Sequence, residues 1–265
     1  MTFGFIGTGN MGGALARAAR RKLAGESLLL ANRTRAKAEA LAEELDTRAA
    51  DNEDVAWEAD HIFLGVKPQM MEGLLKELAP ILAKRRDRFV LVTMAAGLSI
   101  ADIRRMAGGD YPVIRIMPNT PCSIGEGMVL YTPGPGVTPE EERAFLEALA
   151  GAGRFSFLPE GLMDAGSAVA GCGPAFVDLF VEALGDGGVA CGLPRAQAVE
   201  FAAQMALGSA RLILESGRHP GELKDAVCSP GGTTIQGVRA LEEAGFRGAV
   251  MDAVIAAFEK SGKLK

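Results

Sequence analysis

The sequence predicts an α/β protein in two parts: a doubly wound, mostly parallel sheet over residues 1–159, followed by an all-α domain over 160–265. Three observations carry this prediction. Short apolar runs alternate with longer helical patterns through the first half, as strands and crossover helices do. The alternation stops near Pro159-Glu160, and no convincing strand follows. A glycine-rich turn, Gly7-Thr8-Gly9-Asn10-Met11-Gly12, joins the first apolar run to the first helical stretch.

Taken in order, Phe3-Gly-Phe-Ile is the first strand and Leu28-Leu-Leu-Ala the second. His61–Val66, Phe89–Met94 and Val113–Met117 follow, and Met128–Tyr131 and Arg154–Leu158 are later strands. Helical stretches such as Met11–Ala24 and Arg35–Leu45 lie between them. The segment from Thr132 to Pro139, rich in Pro and Gly, reads as a loop, with Thr138 or Pro139 starting the next helix. In the second half Pro174 opens a helix whose apolar positions, Phe176, Leu179, Phe180, Ala183 and Leu184, recur at helical spacing. Pro194 opens another that runs to about Ser216, and shorter helices fit Glu222–Val227, Thr233–Ala244 and Phe246–Lys260. The helix after Pro174 is apolar on more than one face, which a helix tolerates only when buried all round. About a hundred residues cannot surround it alone, so this half is expected to pair with a second subunit.

Composition narrows the function. With 265 residues, 48% hydrophobic and 23% charged, the chain has an ordinary globular mixture. Lys plus Arg total 28 against 33 Asp plus Glu, a net charge of −5, which argues against a nucleic-acid surface. Cys122, Cys172, Cys191 and Cys228 are scattered, no CxxC occurs, and His61 and His219 lie far apart. No metal site is expected, and the thiols read as reduced and structural, as in a cytosolic protein. The N-terminus has neither a basic region nor a long apolar core, so it does not read as a signal peptide. The longest nearly apolar run, Phe89–Ile100, is too short to span a bilayer, and the expectation is a soluble, cytoplasmic protein without a membrane partner.

Gly7, Gly9 and Gly12 form a GxGxxG that follows a strand and opens a helix, the setting the dinucleotide fingerprint requires. The first glycine permits the turn, the second lets the backbone approach a pyrophosphate, and the third allows helix–strand contact. Free N–H groups at the helix N-terminus then face the phosphates. At the end of the second strand an NAD enzyme usually places Asp or Glu to bind the ribose 2′-hydroxyl. Here stand Asn32, Arg33 and Thr34. No carboxylate repels a 2′-phosphate, Arg33 binds one with charge-assisted bonds, and the expected cofactor is NADPH, with NADH weaker. The loops Gly65-Val66-Lys67-Pro68-Gln69, Met94-Ala95-Ala96-Gly97 and Arg115–Pro121 all follow strands, where open α/β sheets bind ligands. Lys67 suits ribose hydroxyls or phosphate. Far along the chain, Ser229-Pro230-Gly231-Gly232-Thr233-Thr234 makes a turn into a helix, whose N–H groups suit a carboxylate.

These motifs together resemble the pyrroline-5-carboxylate reductase family. GFIGTGNMGGA, GVKPQ, TMAAG, RIMPNTP, AGCGPAF and above all KDAVCSPGGTTIQGVRALEEAGFR carry the resemblance, which covers essentially the whole chain. It implies a Rossmann domain, a helical domain that intertwines in a homodimer, and further assembly, commonly a decamer. It implies hydride transfer to the C=N carbon of 1-pyrroline-5-carboxylate, giving L-proline, the last step of proline biosynthesis. By matching position, Ile6 to Met11 hold the pyrophosphate, Arg33 and Thr34 lie by the 2′-phosphate, and Asn52 lies near the adenosine. Gly65 to Pro68 and Met94 to Ala96 flank the ribose and nicotinamide. Ser229 and Gly231 to Thr234 form the substrate loop, with Thr234 placed to hydrogen-bond the ring nitrogen as the catalytic residue, and Glu160 is an acidic position near the substrate. A protonated imine needs only a hydride, so no His or Cys is required as a strong acid.

The chain departs from the family at Ala170, Cys172 and Phe176, where Ser, Ser and Tyr are common, and at Ala226, where some members have Asn. The first three are read as helix-packing positions. Two alternatives stand beside this reading. One is an NADPH-dependent reductase of another cyclic imine or of a hydroxyacid. Hydroxyacid enzymes usually carry a lysine at the start of the long helix, and Ala175–Leu184 has none. The other is a non-catalytic NADPH-binding sensor, which would not need a carboxylate-binding loop.

Overall fold

The computed structural model describes residues 1–263 and divides into two compact units, one built on Met1–Cys172 and the other on Gly173–Ala256. The first unit is a sheet of eight strands: β1 (Phe3–Ile6), β2 (Leu28–Ala31), β3 (Arg48–Ala49), β4 (His61–Leu64), β5 (Val90–Thr93), β6 (Val113–Met117), β7 (Gly127–Pro133) and β8 (Gly153–Phe157). Their order across the sheet is β3-β2-β1-β4-β5-β6-β7-β8. All neighbours are parallel except β6 and β7. In register, Phe3 sits beside Leu28 on one side and His61 on the other.

Among the described residues of its Met1–Cys172 part, the α-helices are α1 (Asn10–Arg20), α2 (Arg35–Leu45), α3 (Asn52–Glu58), α4 (Pro68–Leu82), α5 (Ile100–Ala107), α6 (Pro139–Ala148) and α7 (Met163–Gly166). Successive strand residues feed opposite faces of the sheet, as the period of two demands. Phe3, Phe5, Phe63, Val90, Val92, Ile114 and Ile116 join Leu15, Leu41 and Phe145 on one face. Ile6, Leu29, Ile62, Leu64, Leu91 and Val113 join Val55, Met71, Leu75, Leu78 and Ile103 on the other. Burial on both faces is why the strands read as continuous apolar runs.

The expected strands and helices are present, with adjustments at their ends. The first helix stops at Arg20 rather than Ala24, and a 3-10 turn, Gly25–Ser27, follows. The two-residue strand β3 went unforeseen because Arg48-Ala49 is too short to show a period. β7 runs on to Pro133, into the segment expected to be loop, because that end pairs with Ile114 of β6.

The second unit is helical: α8 (Gly173–Ala190), α9 (Arg195–Ser216), α10 (Pro220–Ala226), α11 (Thr233–Glu243) and α12 (Phe246–Gly262) as far as Ala256, the residues from 257 being grouped with the first unit. α8 and α9 pack closely where Gly185 and Gly188 meet Val199 and Ala198; an added Cβ would sit 3.0 Å from either neighbour. Among the described residues, the clusters of buried apolar side chains all lie in the first unit. Leu179, Phe201, Leu212, Leu214 and Met251 of the second unit are each more than half exposed. Such apolar surface marks a binding face rather than a finished exterior. Phe89–Ile100 is not the chain's best candidate for a bilayer span by length and composition. Glu160–Ala190, 31 residues, is long and apolar enough to cross a membrane by length and composition. Its small and aliphatic side chains equally suit a helix covered by a second copy.

Candidate active site

The strand order turns around between β1 and β4, and this is where a doubly wound sheet binds its ligand. The loops leaving the two strands touch. Gly7 holds φ at +94°, and an added Cβ there would lie 2.7 Å from the Gly65 carbonyl oxygen. A Cβ on Gly12 would fall 2.1 Å from the Gly7 oxygen, so the third glycine seats α1 against the turn. Gly9 differs: a Cβ there meets nothing within 4 Å and would project into open space. Gly9 is the N-cap of α1 and no side chain caps that end, so the first N–H groups of the helix are left for a ligand.

Beside this turn lies a cavity of about 790 Å³. Ile6, Gly7, Gly9, Asn32, Arg33, Thr34, Asn52, Gly65, Val66 and Lys67 line it, and so residues from four loops meet as expected. Asn32 donates through Nδ2 to the Thr34 carbonyl at 3.1 Å and fixes the turn that carries Arg33. Asn52 is placed by the cap of α3, in which Asp51 and Asp54 bond each other's backbone N–H groups. Lys67 is the N-cap of α4, with Pro68 at the helix's first position. Arg33, Lys37 and Lys67 against the single carboxylate of Glu77 give the wall a cationic balance. The Thr8 hydroxyl is buried without a hydrogen-bond partner. An uncapped helix end, a glycine facing open space and three cations fit a dinucleotide carrying an extra phosphate.

The remaining expected positions fall elsewhere. Thr8, Asn10, Met11 and Gly12 form the turn and first coil of α1 and do not line the cavity. Met94, Ala95, Ala96 and Gly97 follow β5 at the same sheet edge but do not line this cavity. Ala95 is buried in the core, and Ala96 packs against Met117 and Leu130. Sequence reasoning missed Lys37, Met70, Gly73, Leu74 and Glu77 as cavity-lining residues. The last four recur at i, i+3, i+4 and i+7, a signal that shows one helix face without saying what it faces.

Glu160 belongs to the first unit. Its Oε1 accepts the Ile100 N–H at 2.7 Å and a 3.5 Å bond from buried Arg115. Arg115 also donates to Asp164 at 3.1 Å. Asn119 binds the Ala170 carbonyl and the Met128 N–H, which ties the segment after α7 to the sheet. His61 and Cys122 take no part in the cavity. Burial drives the His61 ring below its ordinary pKa and the Cys122 thiol above its own.

In the second unit, Ser229 to Gly232 close a turn through a 3.0 Å bond from the Gly232 N–H to the Ser229 carbonyl. Pro230 and Gly231 occupy its centre, and Gly231 holds φ at +70°, the type II pattern. Gly232 is the N-cap of α11, and no side chain caps this helix either. Thr233 and Thr234 are its first two residues, so the turn presents unpaired N–H groups and two hydroxyls together. An uncapped start favours the anion-site reading over a plainly capped helix.

The fold and cavity define a dinucleotide-binding oxidoreductase with an appended helical module. Consistent with this, a family described as NADP oxidoreductase coenzyme F420-dependent matches residues 2–97. A second, described as pyrroline-5-carboxylate reductase dimerisation, matches residues 160–264. The chain is 43% identical to pyrroline-5-carboxylate reductase of Escherichia coli over 265 residues, 98% of this chain and 97% of that one. It is 40% identical to the Glycine max enzyme over 270 residues, 99% of this chain and 96% of that one. Among solved structures, Plasmodium falciparum pyrroline carboxylate reductase with NADP bound matches with a TM-score of 0.88 and 32% identity, covering 99% of this chain and 97% of that one. The Coxiella burnetii enzyme matches with a TM-score of 0.91 and 27% identity, covering 100% and 98%. The chain belongs to the pyrroline-5-carboxylate reductase family.

Proposed function

We propose that this chain reduces the C=N bond of 1-pyrroline-5-carboxylate with NADPH to give L-proline, the last step of proline biosynthesis. The observation that carries the reading is the uncapped start of α11 behind the Ser229–Gly232 turn, in a chain that also has the dinucleotide cavity. When bound, NADPH supplies the hydride. Ile6 to Met11 hold the pyrophosphate, and Asn32, Arg33 and Thr34 hold the 2′-phosphate. Asn52 lies by the adenosine, with Gly65 to Pro68 and Met94 to Gly97 by the ribose and nicotinamide. The substrate carboxylate rests on the N–H groups around Gly231 to Thr234 and on the Ser229 hydroxyl. Thr234 orients the ring by a hydrogen bond at its nitrogen, where the electron pair of the C=N bond ends. Glu160, kept in place by the Ile100 N–H and Arg115, is the acidic member of the substrate set. The enzyme works in the cytoplasm as a homodimer through its helical unit, and dimers assemble further into a decamer.

The test is NADPH consumption with 1-pyrroline-5-carboxylate, wild type and Thr234→Ala side by side, then with NADH. Losing one positioned hydrogen bond lowers kcat roughly 10- to 1000-fold, with a smaller change in KM. A variant with unaltered kcat removes Thr234 from the mechanism, and NADPH binding without turnover refutes the substrate.

A further inference from the structure

Two motifs have no part in the reading above, RIMPNTP with Asn119 and AGCGPAF with Ala170, and one hydrogen bond joins them. Asn119 Nδ2 donates to the Ala170 carbonyl at 3.0 Å. We infer that Asn119 is a positioning residue for hydride transfer, acting through a widened helical turn that it clamps. The inference rests on the reaction proposed above.

The bond answers a defect written into the sequence. Helix runs from Glu160 to Ala190 with one π turn inside it, Ser167–Gly171. There the Cys172 N–H reaches back five residues, to the Ser167 carbonyl at 3.0 Å, instead of the usual four. Pro174 stands four residues after Ala170. Proline has no N–H to return to that carbonyl, and its ring crowds the carbonyl four residues back. The turn widens, and the Ala170 carbonyl lacks its ordinary helical donor. Asn119, 8% exposed, supplies one from outside the helix. The other half of its amide fixes the orientation. Oδ1 accepts the Met128 N–H at 3.0 Å and faces the Cys122 thiol at 3.8 Å; both are donors, so Nδ2 is the atom left for Ala170.

The clamp bears on the reaction through packing. Ala170 lies against the cluster of Met117, Leu130 and Met163, and Ala96 lies against the same cluster. Ala96 belongs to the loop 94–97, assigned above to the ribose and nicotinamide. Methionine side chains repack readily, so a π turn released from Asn119 shifts the support of that loop. Misplacement of a reacting centre by about 1 Å costs roughly 100-fold in rate.

Turnover and binding together test the role. Asn119→Ala, Asn119→Asp, Pro174→Ala and the double variant Asn119→Ala/Pro174→Ala are assayed with NADPH and 1-pyrroline-5-carboxylate. The kcat is counted per site that binds NADP⁺ in calorimetry, which removes any unfolded fraction from the comparison. Loss of the donor lowers kcat roughly 10- to 100-fold and leaves the NADP⁺ Kd within about twofold. Asn119→Asp keeps an acceptor for Met128 but sets an oxygen against the Ala170 carbonyl, and loses kcat likewise. Pro174→Ala restores the helical N–H, so the double variant regains kcat to within about threefold of wild type. An Asn119→Ala enzyme with wild-type kcat, or a loss that Pro174→Ala does not repair, overturns the role and leaves the reaction intact. Asn119 variants that fold only when Pro174 is also replaced make the clamp a folding device and overturn the role as well. A wild type without turnover refutes the reaction and the role together.

Discussion

Two alanine substitutions three residues apart should separate folding from binding in the fingerprint turn. At Gly12 the new Cβ would lie 2.1 Å from the Gly7 carbonyl oxygen, against the 3.4 Å of ordinary contact, so α1 or the turn must yield by about 1.3 Å. The obstacle is backbone, not the flexible end of a side chain, and the turn is already fixed by the 2.8 Å bond from the Gly7 N–H to Ala31. Overpacking of this kind costs roughly 1–3 kcal/mol. In a chain of this size that lowers Tm by roughly 2–10 °C. At Gly9 the same substitution adds a methyl to open space in an extended conformation that alanine adopts freely, with φ −73° and ψ −162°. Folding should be unaffected. The methyl instead occupies the approach of the pyrophosphate, and loss of one charge-assisted bond, at about 1.5–3 kcal/mol, weakens NADP⁺ binding roughly 10- to 100-fold. Melting by circular dichroism and calorimetric titration read the two effects separately. A Gly9→Ala protein that binds NADP⁺ like wild type, or a Gly12→Ala protein that melts like wild type, refutes the reasoning at that glycine.

Three further outcomes are expected. Arg33→Ala should weaken NADP⁺ roughly 10- to 100-fold and leave NAD⁺ nearly unchanged, because only the former has a 2′-phosphate for the guanidinium; equal losses for both would contradict the assignment. Arg115→Met should cost about 3 kcal/mol in urea denaturation, because it strips the cation from Asp164 and Glu160 around a side chain that is 5% exposed. Replacing both carboxylates by their amides in that background should recover part of the loss, and no recovery would point to a packing defect instead. His61, stacked 4.9 Å from Phe3, has its pKa lowered by burial. The folded chain therefore binds fewer protons than the unfolded chain below the ordinary value of 6.5, and stability falls as pH drops through that region. His61→Phe should flatten the decline of Tm there. Glu141, held low by bonds from Arg88 and Thr138 that outweigh its burial, adds its own loss only below its ordinary 4.5.

Legibility in the sequence followed the range of the interactions involved. The fingerprint at Gly7–Gly12 was readable because its steric demands fall mostly within six consecutive residues. The Ser229–Thr234 turn was readable for the same reason, since Pro and Gly at its centre dictate the conformation locally. Arg33 was readable as a cavity residue by its place at the end of β2. Lys37 and the α4 stripe were not readable as site residues. Their spacing showed a helix face, but the contact with the β1–β4 crevice arises between segments tens of residues apart. The role of Arg115 was hidden likewise: an arginine within an apolar strand is unexplained until Glu160 and Asp164 arrive from 45 and 49 residues away.

The amino-acid sequence alone determined the alternation of strands and helices, the change to an all-helical second half and the glycine turns at Gly7–Gly12 and Ser229–Gly232. These depend on periodicity and on backbone conformations that neighbouring residues impose on one another. The tertiary structure decided which of those residues share a cavity and what partner a buried charge finds. It also decided that Gly9 and Gly73 face open space while Gly12 and Gly65 press on backbone. Those outcomes depend on how distant segments pack, and no local pattern along the chain encodes them.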